Sequence, residues 1–111
     1  MKLCKYCIQN VKPMETIFDI EMAKTIKQMY DIEGEEPIDI DYWEINIDDL
    51  TKLSLWNLVD ILDINKYYRV NALGKKFCED RLKVNRSLKH INKQIITKSA
   101  ETMSIYDFIE R

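Results

Sequence analysis

Three cysteines and one histidine are the thiol and imidazole groups available for zinc binding or nucleophilic catalysis in the 111 residues. Cys4 and Cys7 form a C-x-x-C pair, a spacing that lets two thiolates on a tight turn share one tetrahedral zinc ion. Completing that site needs two more donors. Only Cys78 and His90 remain, far along the chain from the first pair. A redox dithiol would want its C-x-x-C at a helix N-terminus, where the dipole lowers the thiol pKa. Here the pair falls within Lys2–Ile8, whose apolar pattern predicts a short strand. A Cys78–His90 nucleophilic pair would also need an orienting acid and an oxyanion donor, and the sequence offers neither. Buried or incidental cysteines are the preferred reading, with no catalytic residue, no metal and no cofactor expected.

The other charged groups also lack a catalytic pattern. Glu33, Glu35, Glu36, Asp39, Asp41 and Glu44 do not have the D-x-[DN]-x-[DN]-G spacing of a calcium loop and read as a solvated acidic segment. With only Gly34 and Gly74 in the chain, there is no glycine-rich loop to cradle a phosphate. The basic residues Lys75, Lys76, Arg81, Lys83, Arg86, Lys89, Lys93 and Lys98 could follow a phosphate backbone, which makes a small helical nucleic-acid-binding regulator the alternative reading. Against it stands an acidic pI of about 5.4.

Composition is that of a folded chain: 46% apolar and 32% charged, with two Gly and two Pro. Its length suits one domain, residues 1–111. No run of residues is apolar enough to cross a bilayer, and the start lacks the apolar core of a secretory signal. An odd cysteine count without framework spacing suits a reducing compartment, so cytoplasm or nucleus is expected and no membrane partner. Abundant Ile and Lys with few Gly, Pro and Ala match the bias of an AT-rich genome, a virus among its possible sources. The net charge of −2 conceals a split. Residues 1–64 carry 6 Lys/Arg against 14 Asp/Glu, whereas residues 65–111 carry 11 against 5. Either the halves attract each other, or each offers a partner of opposite sign a surface.

The elements that must hold these residues emerge from periodicity. A second strand is expected over Ile17–Ile20, forming a hairpin with Lys2–Ile8. Met22, Ile26, Met29 and Tyr30 recur at helical spacing until Gly34. Ile38-Asp39-Ile40 alternates as a third strand, and Tyr42-Trp43 falls in or beside a loop as an exposed aromatic patch. Asn46 or Asp48 can cap a central buried helix running through Leu50, Leu53, Leu55, Trp56, Leu58, Val59, Ile61 and Leu62. A second helix is expected through Tyr67, Val70, Gly74, Phe77 and Leu82, capped by Asp63 or Asn65, and a third through Val84, Leu88, Ile91 and Ile95. Ser104-x-x-Asp107 resembles a capping box for a final turn. The expected fold is α+β but mainly helical: a small sheet within residues 2–40, then a helical cluster over 46–111.

The segment Leu55-Trp56-Asn57-Leu58-Val59-Asp60-Ile61-Leu62-Asp63-Ile64 resembles the signature L-L-x-A-A-[DN]-Y-L-D-[IV] of the BTB/POZ superfamily, which includes Skp-type ubiquitin-ligase adaptors and elongin C. Leu55, Asp60, Leu62, Asp63 and Ile64 match, and Ala72 falls where a small residue is common. Leu58 and Val59 replace the two alanines, and Ile61 replaces the aromatic. Upstream, Ile17-Phe18-Asp19-Ile20, Ala23-Lys24 and Thr25–Met29 resemble the second strand and first helix of Skp-type proteins, and Glu33–Ile40 their acidic loop and third strand. The resemblance covers about residues 1–82. It departs at Tyr42–Ser54, where the family inserts another helix pair, and the tail Val84–Arg111 matches no F-box-binding extension.

The resemblance implies a non-enzymatic adaptor, or a viral mimic of one, that docks a cullin-type scaffold or another BTB-like chain. It places Asp60 and Ile61 where family members present a polar–aromatic pair to the scaffold, although Ile61 lacks the aromatic. With Trp43 as an exposed anchor, these three are the expected partner contacts of a protein-interaction module. Lys75, Lys76, Arg81, Lys83, Arg86 and Lys89 are the contacts that the nucleic-acid alternative would use.

Overall fold

Residues 13–63, 66–91 and 94–109 are described by the computed structural model. In chain order they form β1 (Met14–Ile17), α1 (Ile20–Glu33), β2 (Ile38–Asp39), α2 (Ile47–Leu55), β3 (Val59–Asp63), β4 (Tyr67–Val70), α3 (Ala72–Cys78), β5 (Val84–Asn85), β6 (Ser87–Ile91), β7 (Gln94–Lys98), β8 (Thr102–Met103) and a 3-10 turn at Ile105–Asp107. The expected strand at Lys2–Ile8, with Cys4 and Cys7, lies outside the described residues.

Helix α1 forms where the spacing predicts. Asp19 is extended, and its carboxylate accepts the Met22 amide at 2.9 Å, satisfying one of the donors a helix start leaves unpaired. Met22, Ala23, Ile26 and Met29 are buried along one stripe. The helix stops at Gly34, whose φ of 60° favours glycine and whose amide donates to the Tyr30 carbonyl at 2.8 Å. Asn46 caps α2 by accepting from the Asp48 and Asp49 amides.

Beyond Leu55 the expectation of a mainly helical fold is overturned. Among the described residues, three helices stand beside eight strands in three antiparallel sheets, and six of those strands run through the region read as helical. The long central helix ends early because Asn57 turns left-handed at φ 57°. The Asn57 amide bonds to the Ser54 carbonyl and the Leu58 amide to the Leu53 carbonyl, a Schellman stop. The chain then enters β3, in which Ile61 and Leu62 are exposed. The start of the expected second helix is β4, where period two sends Tyr68 and Val70 inward and Tyr67 and Arg69 outward. Its cap is neither Asp63 nor Asn65 but Asn71, whose side chain accepts the Gly74 amide at 2.9 Å. The expected third helix is β5 to β7: Leu88 and His90 are buried two residues apart, a strand period. Ser104 and Asp107 do form their box, with the Ser104 amide donating to the Asp107 carboxylate at 2.7 Å.

The sheets are β1-β6-β7, β2-β4-β3 and β5-β8. In the first, Met14 pairs with His90 and Ile17 with Ser87, joining distant parts of the chain. The core gathers Phe18, Met22, Ile26 and Met29 with Leu50, Leu53, Leu58, Tyr68, Val70, Phe77 and Ile105. Phe18 is its aromatic hub, 5.3 Å from Trp56, 5.3 Å from Phe77 and 5.1 Å from Phe108 between ring centroids. Trp56 also donates its Nε1 proton to the Asn85 carbonyl at 2.7 Å, tying the end of α2 to β5. α3 can pack this closely because Gly74 has no side chain: a Cβ there would collide with the Leu58 carbonyl oxygen and press on Val70.

Candidate functional site: the Asp39–Glu44 aromatic turn

Strand β2 ends in a turn built by one carboxylate. Asp39 Oδ1 accepts the Asp41 amide at 3.0 Å and the Tyr42 amide at 3.3 Å, so the aspartate side chain sets the path of the backbone after it. The Trp43 amide donates to the Asp39 carbonyl and the Glu44 amide to the Asp41 carbonyl. Glu44 carries the left-handed φ of 53° that turns the chain back. The Ile45 amide then bonds to the Ile40 carbonyl at 2.9 Å, and both isoleucines are buried. The base of the turn is therefore fixed to the core, while its tip faces solvent.

At that tip Tyr42 is 76% exposed and Trp43 39% exposed. Their rings meet edge to face, with centroids 5.0 Å apart and planes at 83°, an arrangement that aromatic quadrupoles favour. Tyr42 is the most exposed large apolar side chain among the described residues. Across the sheet, Asp39 is paired with Tyr67, itself half out in solvent with the Lys66 ammonium 5.4 Å from its ring centroid. Its neighbour Tyr68 points the other way, fully buried. Burial, and secondarily the Asp63 charge, pushes the Tyr68 phenol above the usual tyrosine range.

The remaining expected contacts are spread over other elements. Asp60 and Ile61 lie on β3, separated from β2 by β4. Asp60 is engaged within its hairpin: Arg69 Nε donates to it at 3.0 Å and Asn71 Nδ2 at 3.3 Å. The same Asn71 nitrogen donates to the Asn57 carbonyl at 2.8 Å, so this asparagine ties together the stop of α2, strand β3 and the start of α3. Ile61 is exposed beside Leu62.

The basic residues of the alternative reading do not share one helix face. Lys75 and Lys76 are on α3, Arg81 and Lys83 come after it, Arg86 precedes β6 and Lys89 is on β6. Three of them face carboxylates: Lys75 with Glu35 at 3.4 Å, Arg81 with Glu79 at 2.6 Å and Arg86 with Glu101 at 3.1 Å.

Cys78 and His90 are committed to different surroundings. The Cys78 thiol is buried against α1, 3.8 Å from the Ile26 carbonyl, and burial pushes its pKa up to about 12. His90 Nε2 is 2.8 Å from Thr16 Oγ1 across the first sheet. Among the described residues no three His, Cys, Asp or Glu side chains gather where they could hold a metal ion. Among the described residues, clefts also open elsewhere. One, of about 510 Å³, lies along the outer face of α1 and includes Lys24, Asp31 and Ile109. Another, of about 260 Å³, lies between Trp56 and Leu88.

The sequence pointed to Trp43 because an aromatic after a short strand in an acidic stretch has little core to enter. It placed Tyr67 on the apolar face of a helix, which hid the alternation of β4 that sends that ring outward. No helix among the described residues is long and apolar enough to cross a membrane. The chain matches no family model, no curated protein and no solved structure.

Proposed function

We propose that this chain is a protein-binding module and that the Asp39–Glu44 turn is its docking surface. One observation carries the reading: an edge-to-face tyrosine–tryptophan pair, Tyr42 largely and Trp43 partly exposed, held at the surface by a turn whose base is anchored in the core. Trp and Tyr bring large contact area with few rotatable bonds, so a pre-set pair loses little freedom when a partner covers it. Asp60 serves its own hairpin in this reading, and Ile61 is a second, smaller apolar contact on the far strand. Nucleic-acid binding is less favoured because half of the six basic candidates already face carboxylates and the set is divided among helix, loop and strand.

The test is affinity capture from host lysate, after nuclease treatment, with the wild-type chain and the Tyr42→Ser/Trp43→Ser variant in parallel. A discrete protein held by the wild type and lost by an equally folded variant is the expected result. Equal retention by both would sink the assignment of the surface, and loss of all retained material on nuclease treatment would favour nucleic acid.

A further inference from the structure

We infer that the aromatic turn recognises a Lys/Arg-bearing segment of a separate protein; this rests on the turn being the docking surface. Between Lys27 and Lys52 the chain holds nine Asp/Glu and no Lys, Arg or His. Among the described residues, only Asp31 and Glu35 of the nine appear in ion pairs, with Lys27 and Lys75. Asp41 and Glu44, which bracket Tyr42 and Trp43, are both exposed.

A cation approaching the tip therefore meets a ring face and a carboxylate together. Attraction to the ring quadrupole strengthens as the site loses water, and the flanking carboxylates supply the long-range pull. The same sheet end already shows this chemistry within the chain, in Lys66 over the Tyr67 ring. An acidic partner segment would meet repulsion. A purely apolar one would leave these carboxylates desolvated without a counter-charge.

The experiment uses the full chain and a fluorescently labelled Lys/Arg-rich peptide, with a Glu/Asp-rich peptide of equal length as control, read by anisotropy. The basic peptide should bind saturably and the acidic one should not. Trp43→Ala leaves the charge unchanged and should weaken binding about tenfold. Asp41→Asn/Glu44→Gln should weaken it too and flatten its dependence on salt between about 0.05 and about 0.5 M. Circular dichroism and melting of each variant confirm that it is folded.

Equal binding by wild type and Trp43→Ala would overturn the inference, because attraction to any acidic surface would then suffice. So would no saturation below about 1 mM. If lysate capture yields a partner lost in Tyr42→Ser/Trp43→Ser but indifferent to salt and to Asp41→Asn/Glu44→Gln, the docking surface stands and the basic-segment inference falls. Concentration-dependent self-association in sedimentation, abolished by Trp43→Ala, would assign the surface to a second copy and overturn the separate partner.

Discussion

Two aromatic clusters in this chain have nearly the same ring spacing and different surroundings. Around the buried Phe18, three rings lie 5.1 to 5.3 Å away: Phe77 within the core, and Trp56 and Phe108 partly buried against it. At the end of β2, Tyr42 and Trp43 sit 5.0 Å apart at the surface, Tyr42 largely and Trp43 partly in solvent. Ring-to-ring attraction is comparable in both, so it does not explain why one pair stays outside. The difference is what each cluster touches: the first lies where β1, α1, α2 and α3 meet, while the second sits on a turn that Asp39, Ile40 and Ile45 already fix. Aromatic geometry by itself does not reveal a role; the surface left uncovered does.

This contrast can be broken at several points. Phe18→Ala should have the largest effect, about 3–5 kcal/mol in urea unfolding, as a buried ring is lost and its neighbours relax only in part. Gly74→Ala should come next at about 1–3 kcal/mol, since the added methyl meets the Leu58 backbone and not a flexible side-chain end. Asn71→Ala should cost about 1–2 kcal/mol by removing a helix cap and two further hydrogen bonds at one junction.

The exposed cluster should behave in the opposite way. Tyr42→Ser/Trp43→Ser is expected to lower stability by no more than about 1.5 kcal/mol, the size of one ring pair, and a loss near that of Phe18→Ala would make the pair structural. The finest test uses the phenols of β4. With its pKa raised in the folded state, Tyr68 adds stability below the ordinary tyrosine value of about 10 that is lost as pH rises through the folded value. In a phenolate absorbance titration, Tyr68→Phe should therefore remove amplitude from the late part of the curve.

The sequence carried α1 and β2 clearly, because Met22, Ile26 and Met29 are spaced for one period and Ile38 and Ile40 for the other. It failed where apolar residues were dense enough to satisfy both. Leu55 to Leu62 shows apolar positions on almost every side, and nothing local announces that Asn57 will turn left-handed and leave Val59 free to pair with Val70. Val84, Leu88, Ile91 and Ile95 fit helical spacing, yet the pairing of β6 with β1 across most of the chain decided the matter. Such non-local pairings override local preference. Of the candidate site, Trp43 was legible through its acidic, strand-following context. The Asp60 interactions with Arg69 and Asn71 were not, because they exist only once β3 and β4 are strands.

The position of Cys78 gives the fold an internal clock. Its sulfur lies at the contact of α3 with α1 and is held protonated, so an alkylating reagent can reach a thiolate there only after those helices part. In a Cys4→Ser/Cys7→Ser background, the rate of Cys78 labelling should report how often the molecule opens. When labelling is slow compared with closing, that rate follows the equilibrium population of the open state; when labelling is fast, it follows the opening step itself. A single native side chain can thus distinguish a local loosening of the aromatic turn, which should leave the clock unchanged, from an opening that reaches the core.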